Sequence, residues 1–462
     1  MPDRRRFDSG FLRAENAVVP LRSVVIDYNS FFASCEQQER PELRGRPVAV
    51  APTAAETTCC IAASYDAKRR GIKVGTRVDE ARRLCPGLVL LEARPEIYVR
   101  YHDRLIAAVE HCIPVAEVLS IDEMWCELPP SWRTRERVVA LARQIKRTIA
   151  REVGACLTSS IGAAPNPWLA KIASDLMKPD GLVLLDETNL PQVLFALQLR
   201  DLPGVGAHME ARLRAAGLDS VEQLYAASCA ALRRVWGGIE GERLWRRLRG
   251  EMVALPPPRT GTLGHSHVLP PGLRTEAGAL ATLHRLLQKA AMRLRHAGFY
   301  AGGLHVGLRY GSRERWSTAA TFLETQDTLE LIRVFAQLWA RRPRERAKIF
   351  SVGVTLFDFT PAAAHTGTLP GIVDNGDRRA ALNATLDHIN RQLGKNTVVF
   401  GGALGALHYA PIRIAFNRIP DVALEEGETD GELFPTAAEL AQFRRLPRAT
   451  ANPAPKCLSS IK

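Results

Sequence analysis

Val118-Leu119-Ser120-Ile121-Asp122-Glu123-Met124-Trp125 sets two adjacent carboxylates inside an apolar, β-branched run. A buried carboxylate is costly unless it is paired, hydrogen-bonded or bound to a metal. Alternation along a strand also sends neighbouring side chains to opposite faces. Asp122 and Glu123 can therefore serve one site only at a strand end or hairpin turn, where alternation relaxes. Taken alone, the stretch fits a solvated hairpin tip as well as it fits a functional site.

A second stretch far upstream tips the balance. In Ser23-Val24-Val25-Ile26-Asp27-Tyr28-Asn29-Ser30-Phe31-Phe32-Ala33-Ser34 a β-branched run ends in an acid, and small and aromatic residues then begin a helix. Asp27 falls at the C-terminal end of a predicted buried strand. A lone acid there is often a helix N-cap. Carboxylates on strand ends also build divalent-cation sites, because a rigid sheet fixes them.

The chain of 462 residues is long enough for two to four domains, and its net charge is +13. A basic balance points to nucleic acid or an anionic surface as partner. No apolar run approaches the ~18 residues that a membrane span needs. Met1-Pro2-Asp3-Arg4-Arg5-Arg6 is followed by no apolar segment, so no secretory signal is expected. Nine cysteines without a CxxC pair indicate neither a zinc site nor a disulfide framework, and a reducing cytoplasm is the expected compartment.

Residues 1–22 read as a flexible basic arm, and 23–185 mix strands and helices with the acids on separate strands. Short strands are expected at 47–51, 59–64 and 88–91, and helices at 65–71, 79–84, 96–112 and 134–153. Tyr65 and Lys68 share a helix face and could hold a phosphate chain; ordinary surface placement is equally compatible. Residues 186–250 read as helical throughout. Within them Leu202-Pro203-Gly204-Val205-Gly206 resembles the turn of a helix-hairpin-helix, whose glycines let backbone N–H groups approach a phosphate. Ala254-Leu255-Pro256-Pro257-Pro258 marks a linker at 251–262. Residues 263–360 read as a small βα module with a basic face, with Arg293, Arg295, Arg309, Arg313 and Arg315 among its arginines. Beyond 361 the chain is less regular, with a helix at 378–393 and a Pro- and Ala-rich, partly disordered end.

Three strand-end acids, phosphate-holding cations and a DNA-backbone motif together describe nucleotidyl transfer. That chemistry needs positioning, and metal ions to neutralise charge on the attacking and leaving oxygens. Two ions about 3.5–4 Å apart do this, held by carboxylates. Mg²⁺ takes few protein ligands and accepts the rest from phosphates and water.

From residue 23 to about 360 the chain resembles the Y-family translesion DNA polymerases, the bacterial DNA polymerase IV (DinB) and UmuC group. The resemblance rests on ordered motifs: Ile26-Asp27-Tyr28-Asn29-Ser30-Phe31-Phe32-Ala33, Ser64-Tyr65-Asp66-Ala67-Lys68, Gly71-Ile72-Lys73-Val74-Gly75, Ser120-Ile121-Asp122-Glu123, Ala170-Lys171-Ile172-Ala173-Ser174-Asp175, Lys178-Pro179-Asp180-Gly181 and the Pro203–Gly206 turn. It implies an α+β multidomain, right-hand fold. The palm would comprise 23–31 and 96–185, small fingers 32–95, a helical helix-hairpin-helix thumb 186–250, and a βα little-finger domain 263–360. The C-terminal extension would follow from 361 to 462.

It also implies roles. Asp27, Asp122, Glu123 and the carbonyl of Tyr28 would hold two Mg²⁺ ions, with Mn²⁺ able to substitute, and the three acids would be catalytic. Phe31, Phe32, Tyr65, Lys68 and Lys178 would bind the incoming dNTP, with Phe32 as the steric gate against a ribose 2′-hydroxyl. Gly204, Gly206, Arg309 and Arg313 would contact primer–template DNA. A monomer without proofreading or membrane attachment is expected. The sliding clamp is a further candidate partner, although no clear clamp peptide is present.

Several positions depart from the family pattern. Lys68 stands where the family usually has arginine, keeping the charge but losing bidentate geometry. Asn166-Pro167-Trp168 replaces a stretch that is often lysine-bearing, and Leu382–Phe400 looks more like a UmuC-type tail. Relatives that act as inactive adaptors typically lose the acids; here all three are retained.

Overall fold

A computed structural model describes residues 20–407, apart from 54, 57, 255–260, 313, 344–346 and 367–375, together with 414, 419 and 420. Arg313, most of the expected N-terminal arm and the chain beyond 420 lie outside the described residues. Two compact units result; the chain passes to the second after Pro258, and Ile414 and Ile419 belong to the first, packed on its core.

The first unit is built on β1 (Ser23–Tyr28), whose six residues are all buried. After it come α1 (Phe31–Glu39), β2 (Val48–Ala51), β3 (Ala62–Ala63), α2 (Tyr65–Lys68), α3 (Val78–Leu84) and β4 (Val89–Glu92). The strand expected at 59–64 is confined to two residues; Cys59 makes only an isolated bridge to Arg77. β2 is the centre of a small sheet, antiparallel to β3 and parallel to β4. Next are α4 (Pro95–Glu110), β5 (Glu117–Ser120), β6 (Glu123–Glu127), α5 (Arg135–Glu152), β7 (Ser159–Ala164), α6 (Pro167–Leu176) and β8 (Leu182–Leu184). β1 is the middle of the second sheet, ordered β5-β6-β1-β7-β8 and antiparallel except between β7 and β8.

The sheet has two faces, as strand alternation requires. Val24, Ile26, Met124 and Cys126 pack into a core with α4 and α5. Val25 belongs to a second core with α6 and the helices that follow. Asp27 and Glu123 share the parity of Val25 and Trp125, so both project toward α6. Leu21 is buried and the Arg22 N–H donates to Ala164 O, so the chain is already part of this unit before β1.

α7 (Gln192–Phe195), α8 (Ala207–Ala215), α9 (Val221–Ala226), α10 (Cys229–Trp236) and α11 (Ile239–Leu248) make the helical segment. In the second unit β9 (Thr262–Val268), α12 (Glu276–His296), β10 (Phe299–Tyr310), β11 (Arg315–Thr325), α13 (Thr328–Ala340) and β12 (Ile349–Pro361) form an antiparallel sheet ordered β11-β10-β12-β9. α12 and α13 cover one face around a single core. α14 (Gly376–Gln392) follows, and Arg295 of α12 binds its Asp387 at 2.6 Å. The arginine-rich stretch is thus not all one face. Arg295 is spent on Asp387, Gln326 and Thr328, and Arg293 bonds His265. Arg309 and Arg315 are exposed and directly opposed on β10 and β11.

α6 approaches the sheet closely at Gly162 of β7. A Cβ there would lie 2.0 Å from Ala170 O and 2.3 Å from Ser174 N of α6. Glycine lets α6 lie directly on the strands that carry the acids. Gly162→Ala is expected to cost about 3 kcal/mol through overpacking, read as a lower denaturant midpoint with unchanged slope. A loss within ~0.5 kcal/mol, the usual range for an innocuous surface change, would show that α6 is not held by that close approach.

Candidate active site

Asp27 and Glu123 face each other directly across β1 and β6. Asp122 occupies the two-residue turn between β5 and β6, and its carbonyl accepts the Tyr28 N–H at 2.9 Å. The hairpin turn thus resolves the alternation problem: Glu123 opens its strand on the α6 face and Asp122 sits just before alternation begins. Ser120 Oγ donates to Asp122 Oδ1 at 2.7 Å. Behind the turn, buried His102 of α4 bonds Ile121 O through Nδ1 at 2.8 Å, and burial holds its pKa down. Neutral His102 is the N–H donor in that bond, because a carbonyl can only accept.

Between the acids stands an ammonium group. Lys171 Nζ of α6 lies 2.5 Å from Asp27 Oδ2, 2.7 Å from Glu123 Oε1 and 3.0 Å from the Asp175 carboxylate. Lys178 Nζ lies 2.7 Å from Asp27 Oδ2 and 2.8 Å from Asp175 Oδ1. Burial alone would push the Lys171 pKa down, but Asp27, Glu123 and Asp175 together hold it well above the ordinary lysine value. Burial raises the Asp122 carboxyl, with the Ser120 bond opposing it. Burial also raises Glu123, against the pull of Lys171.

Among the described residues, no three His, Cys, Asp or Glu side chains are drawn together as a metal cage. The donor set nevertheless suits a hard divalent cation. Carboxylate oxygens from two strands already converge on one cationic nitrogen, so a cation of that charge sign is what the arrangement accommodates. Asp122 stands beside this point without touching the ammonium.

The nucleotide candidates gather at the same acids. Lys68 Nζ lies 4.4 Å from the Tyr65 ring centre. Burial lowers the Lys68 pKa, and its charge is felt by Lys178, Asp27 and Asp122. Burial raises the Tyr65 phenol. The turn after α6 is located by Asn29, which accepts from Asp180 N at 2.8 Å and donates to Ser160 Oγ at 3.0 Å. Phe31 is buried, whereas Phe32 is partly exposed and stacks on Tyr98 with ring centres 4.5 Å apart. Tyr98 in turn donates to fully buried Glu36 at 2.8 Å, and Arg94 pairs with the same carboxylate.

The Leu202–Gly206 turn lies between a short 3₁₀ turn and α8. Gly204 has φ +88°, a value that favours glycine, and Gly206 is the N-cap of α8. Open space lies outside both α-carbons, so a backbone could approach them. A cleft of about 440 Å³ runs from Lys171 and Asp175 to this turn. Arg309 belongs to the second unit, where its guanidinium lies 4.8 Å from the Phe350 ring centre.

Three features of the site have no role assignable from sequence. Lys171 and Asp175 are visible there only as part of a motif, and His102 only as one residue of a helix. The departure Asn166-Pro167-Trp168 also proves structural. Asn166 caps α6 and donates to Arg247 O at 2.9 Å and Glu251 O at 3.0 Å, while Trp168 donates to Pro203 O at 3.2 Å. These bonds fasten the helical segment to the acid-bearing sheet.

Comparison with known proteins shows the family of the chain. Residues 26–175 match the impB/mucB/samB family, 261–369 that family's C-terminal domain, and 200–251 the DNA polymerase-iota thumb domain. The DNA polymerase IV of Moorella thermoacetica is 32% identical over 383 residues, covering 81% of this chain and 94% of the relative. DNA polymerase IV 1 of Bacillus subtilis is 28% identical over 390 residues, covering 82% and 92%. Among solved structures, a Y-family Dbh–Dpo4 polymerase chimera aligns with TM-score 0.63 at 22% identity, over 74% of this chain and 99% of that one. An insertion ternary complex of Dbh DNA polymerase aligns at 0.51 with 22% identity, over 74% and 99%, and these two likenesses establish the right-hand fold. With a relative this similar over four fifths of its length, the chain belongs to the Y family of DNA polymerases.

Proposed function

We propose that the chain is a template-directed DNA polymerase of the translesion type, adding dNTPs to a primer 3′ end without proofreading. The observation that carries it is the opposition of Asp27 and Glu123 on one cation, with Asp122 at the adjoining turn. Nothing favours an adaptor role. Two Mg²⁺ ions, with Mn²⁺ able to replace them, would supply charge neutralisation at the attacking and leaving oxygens. Asp27, Asp122 and Glu123, with the carbonyl of Tyr28, are the residues to hold them.

The remaining groups bind and orient. Lys178, Lys68 and Tyr65 grip the triphosphate, and Lys68 acts as a point charge. Phe31 backs Phe32, whose ring closes the space beside the sugar 2′-carbon. Gly204 and Gly206 offer backbone N–H groups to primer–template phosphates, with Arg309 a contact on the second unit; Arg313 stays a candidate from sequence alone. Phosphate contacts of this kind position the duplex without reading its sequence, as a polymerase for any template needs. Among the described residues no helix is long and apolar enough to cross a membrane. A cytoplasmic, monomeric enzyme is the corresponding proposal, with the sliding clamp as a candidate further partner.

Primer extension with Mg²⁺ and four dNTPs tests the acids. Asp122→Ala or Glu123→Ala is expected to slow extension about a hundredfold or more, since several kcal/mol of charge stabilisation go with the ligand. Extension equal to wild type would remove those residues from the site. The gate has its own test: Phe32→Ala should raise the rNTP-to-dNTP ratio strongly. Tyr98→Ala, which removes the ring that Phe32 rests on, should raise it less. An unchanged ratio in Phe32→Ala would take the gate away from that ring.

A further inference from the structure

We propose that Lys171 is the internal counter-ion of the carboxylate site: its ammonium holds the place between Asp27 and Glu123 that a divalent cation takes, and crosses to Asp175 when the cation enters. The inference rests on the polymerase reading for the identity of that cation, but on geometry for the exchange.

An ammonium has three donors and no acceptor. Lys171 Nζ meets one carboxylate with each: Asp27, Glu123 and Asp175. Without it, Glu123 would lose its cationic partner and face Asp27, left to Lys178 alone, as a partly buried like charge across β1 and β6. A bound Mg²⁺ sits about 2.0–2.1 Å from its oxygens, so Asp27 Oδ2 cannot serve the metal and keep an ammonium at 2.5 Å in line with it. Entry of the cation at that oxygen therefore requires Lys171 to give way, and with it Lys178, which is 2.7 Å from the same atom; at Glu123 it requires Lys171 to do so.

The way out is built into α6. Asp175 is one turn along from Lys171 on the same helix and already within 3.0 Å. Rotation about the lysine side chain suffices: the ammonium leaves Asp27 and Glu123 and stays with Asp175. The backbone of α6 remains fixed by Gly162 and Trp168. Lys178 does not duplicate the role, because it pairs with Asp27 and Asp175 and not with Glu123.

The consequence is a site that disfavours metal until further negative charge arrives. A triphosphate brings that charge, so metal and nucleotide bind with positive coupling. Lys171 is thus a positioning residue that couples cation to substrate.

The experiment is Mn²⁺ binding to the full chain without nucleotide or DNA, read from the EPR signal of free Mn²⁺. Lys171→Gln is expected to bind Mn²⁺ about tenfold tighter than wild type, the scale of removing one nearby charge in a partly screened site. Asp175→Asn, which removes the refuge, should bind it more weakly. The metal-free Tm of Lys171→Gln should fall, and saturating Mn²⁺ should restore most of the loss. Equal or weaker binding in Lys171→Gln, undetectable binding in both it and wild type, or an equal Tm loss with and without Mn²⁺ would overturn the proposal. If Lys171→Gln does not fold, unchanged or tighter binding in Asp175→Asn overturns it alone. Primer extension by wild type runs in parallel. Its failure with the Mn²⁺ shifts intact would count against the polymerase reading and not against Lys171.

Discussion

Like charges directly opposite on neighbouring strands repel, and this chain places Asp27 opposite Glu123. The rest of the first unit is arranged to tolerate that pairing. β1 is central and wholly buried, so its end cannot drift away from β6. The Tyr28 N–H bond to Asp122 O locks the turn to the same strand end, and His102 braces it from behind. Compensation comes from the opposite layer, through two lysines of α6 and its following turn. The sheet fixes where the negative charge is, and α6 supplies positive charge on flexible stems that can withdraw. A rigid anion site with mobile counter-ions would suit the proposed exchange of cation and substrate phosphates.

The acids are legible in the sequence because a carboxylate in an apolar strand is a local anomaly, and local anomalies survive in a linear reading. Alternation alone cannot say whether Asp122 and Glu123 act together, but it states the condition, a turn between them. The structure meets that condition with the Ile121–Asp122 turn. Lys171 is different. Its bond to Asp27 spans 144 residues, and a lysine on an amphipathic helix carries no local signal. Gly162 is silent for the same reason, since its need is set by Ala170 and Ser174 of another element.

The second unit is less legible, again for a physical reason. β9 and β11 are hard to read by pattern because neither keeps a clear alternation: residues 264–267 hold no large apolar side chain, residues 317–321 carry little contrast in polarity, and Phe322 and Leu323 are adjacent. One face of β11 is open within the unit, so nothing forces large apolar side chains onto it. The arginines look like a single basic face in sequence, yet charge in sequence does not say which way a guanidinium points. Arg295 satisfies Asp387 and two groups near the start of α13, whereas Arg309 lies over Phe350 on the uncovered side of the sheet.

The proposed sugar gate rests on an interaction that is weak by itself. A stacked aromatic pair contributes about 0.5–1.5 kcal/mol beyond its buried area. Phe32 on Tyr98, with ring centres 4.5 Å apart, would not resist a ribose hydroxyl if Tyr98 were free to yield. It is not free. Its hydroxyl is bonded to Glu36, whose carboxylate is wholly buried and also held by Arg94. A hydrogen bond to a charged group contributes about 1.5–3 kcal/mol, more than the stack itself. Tyr98 is therefore tied to α1 by charge, and Phe32 stands on the same helix one turn before Glu36. The ring and its support move only together, which makes an aromatic side chain in this position a wall and not a flap.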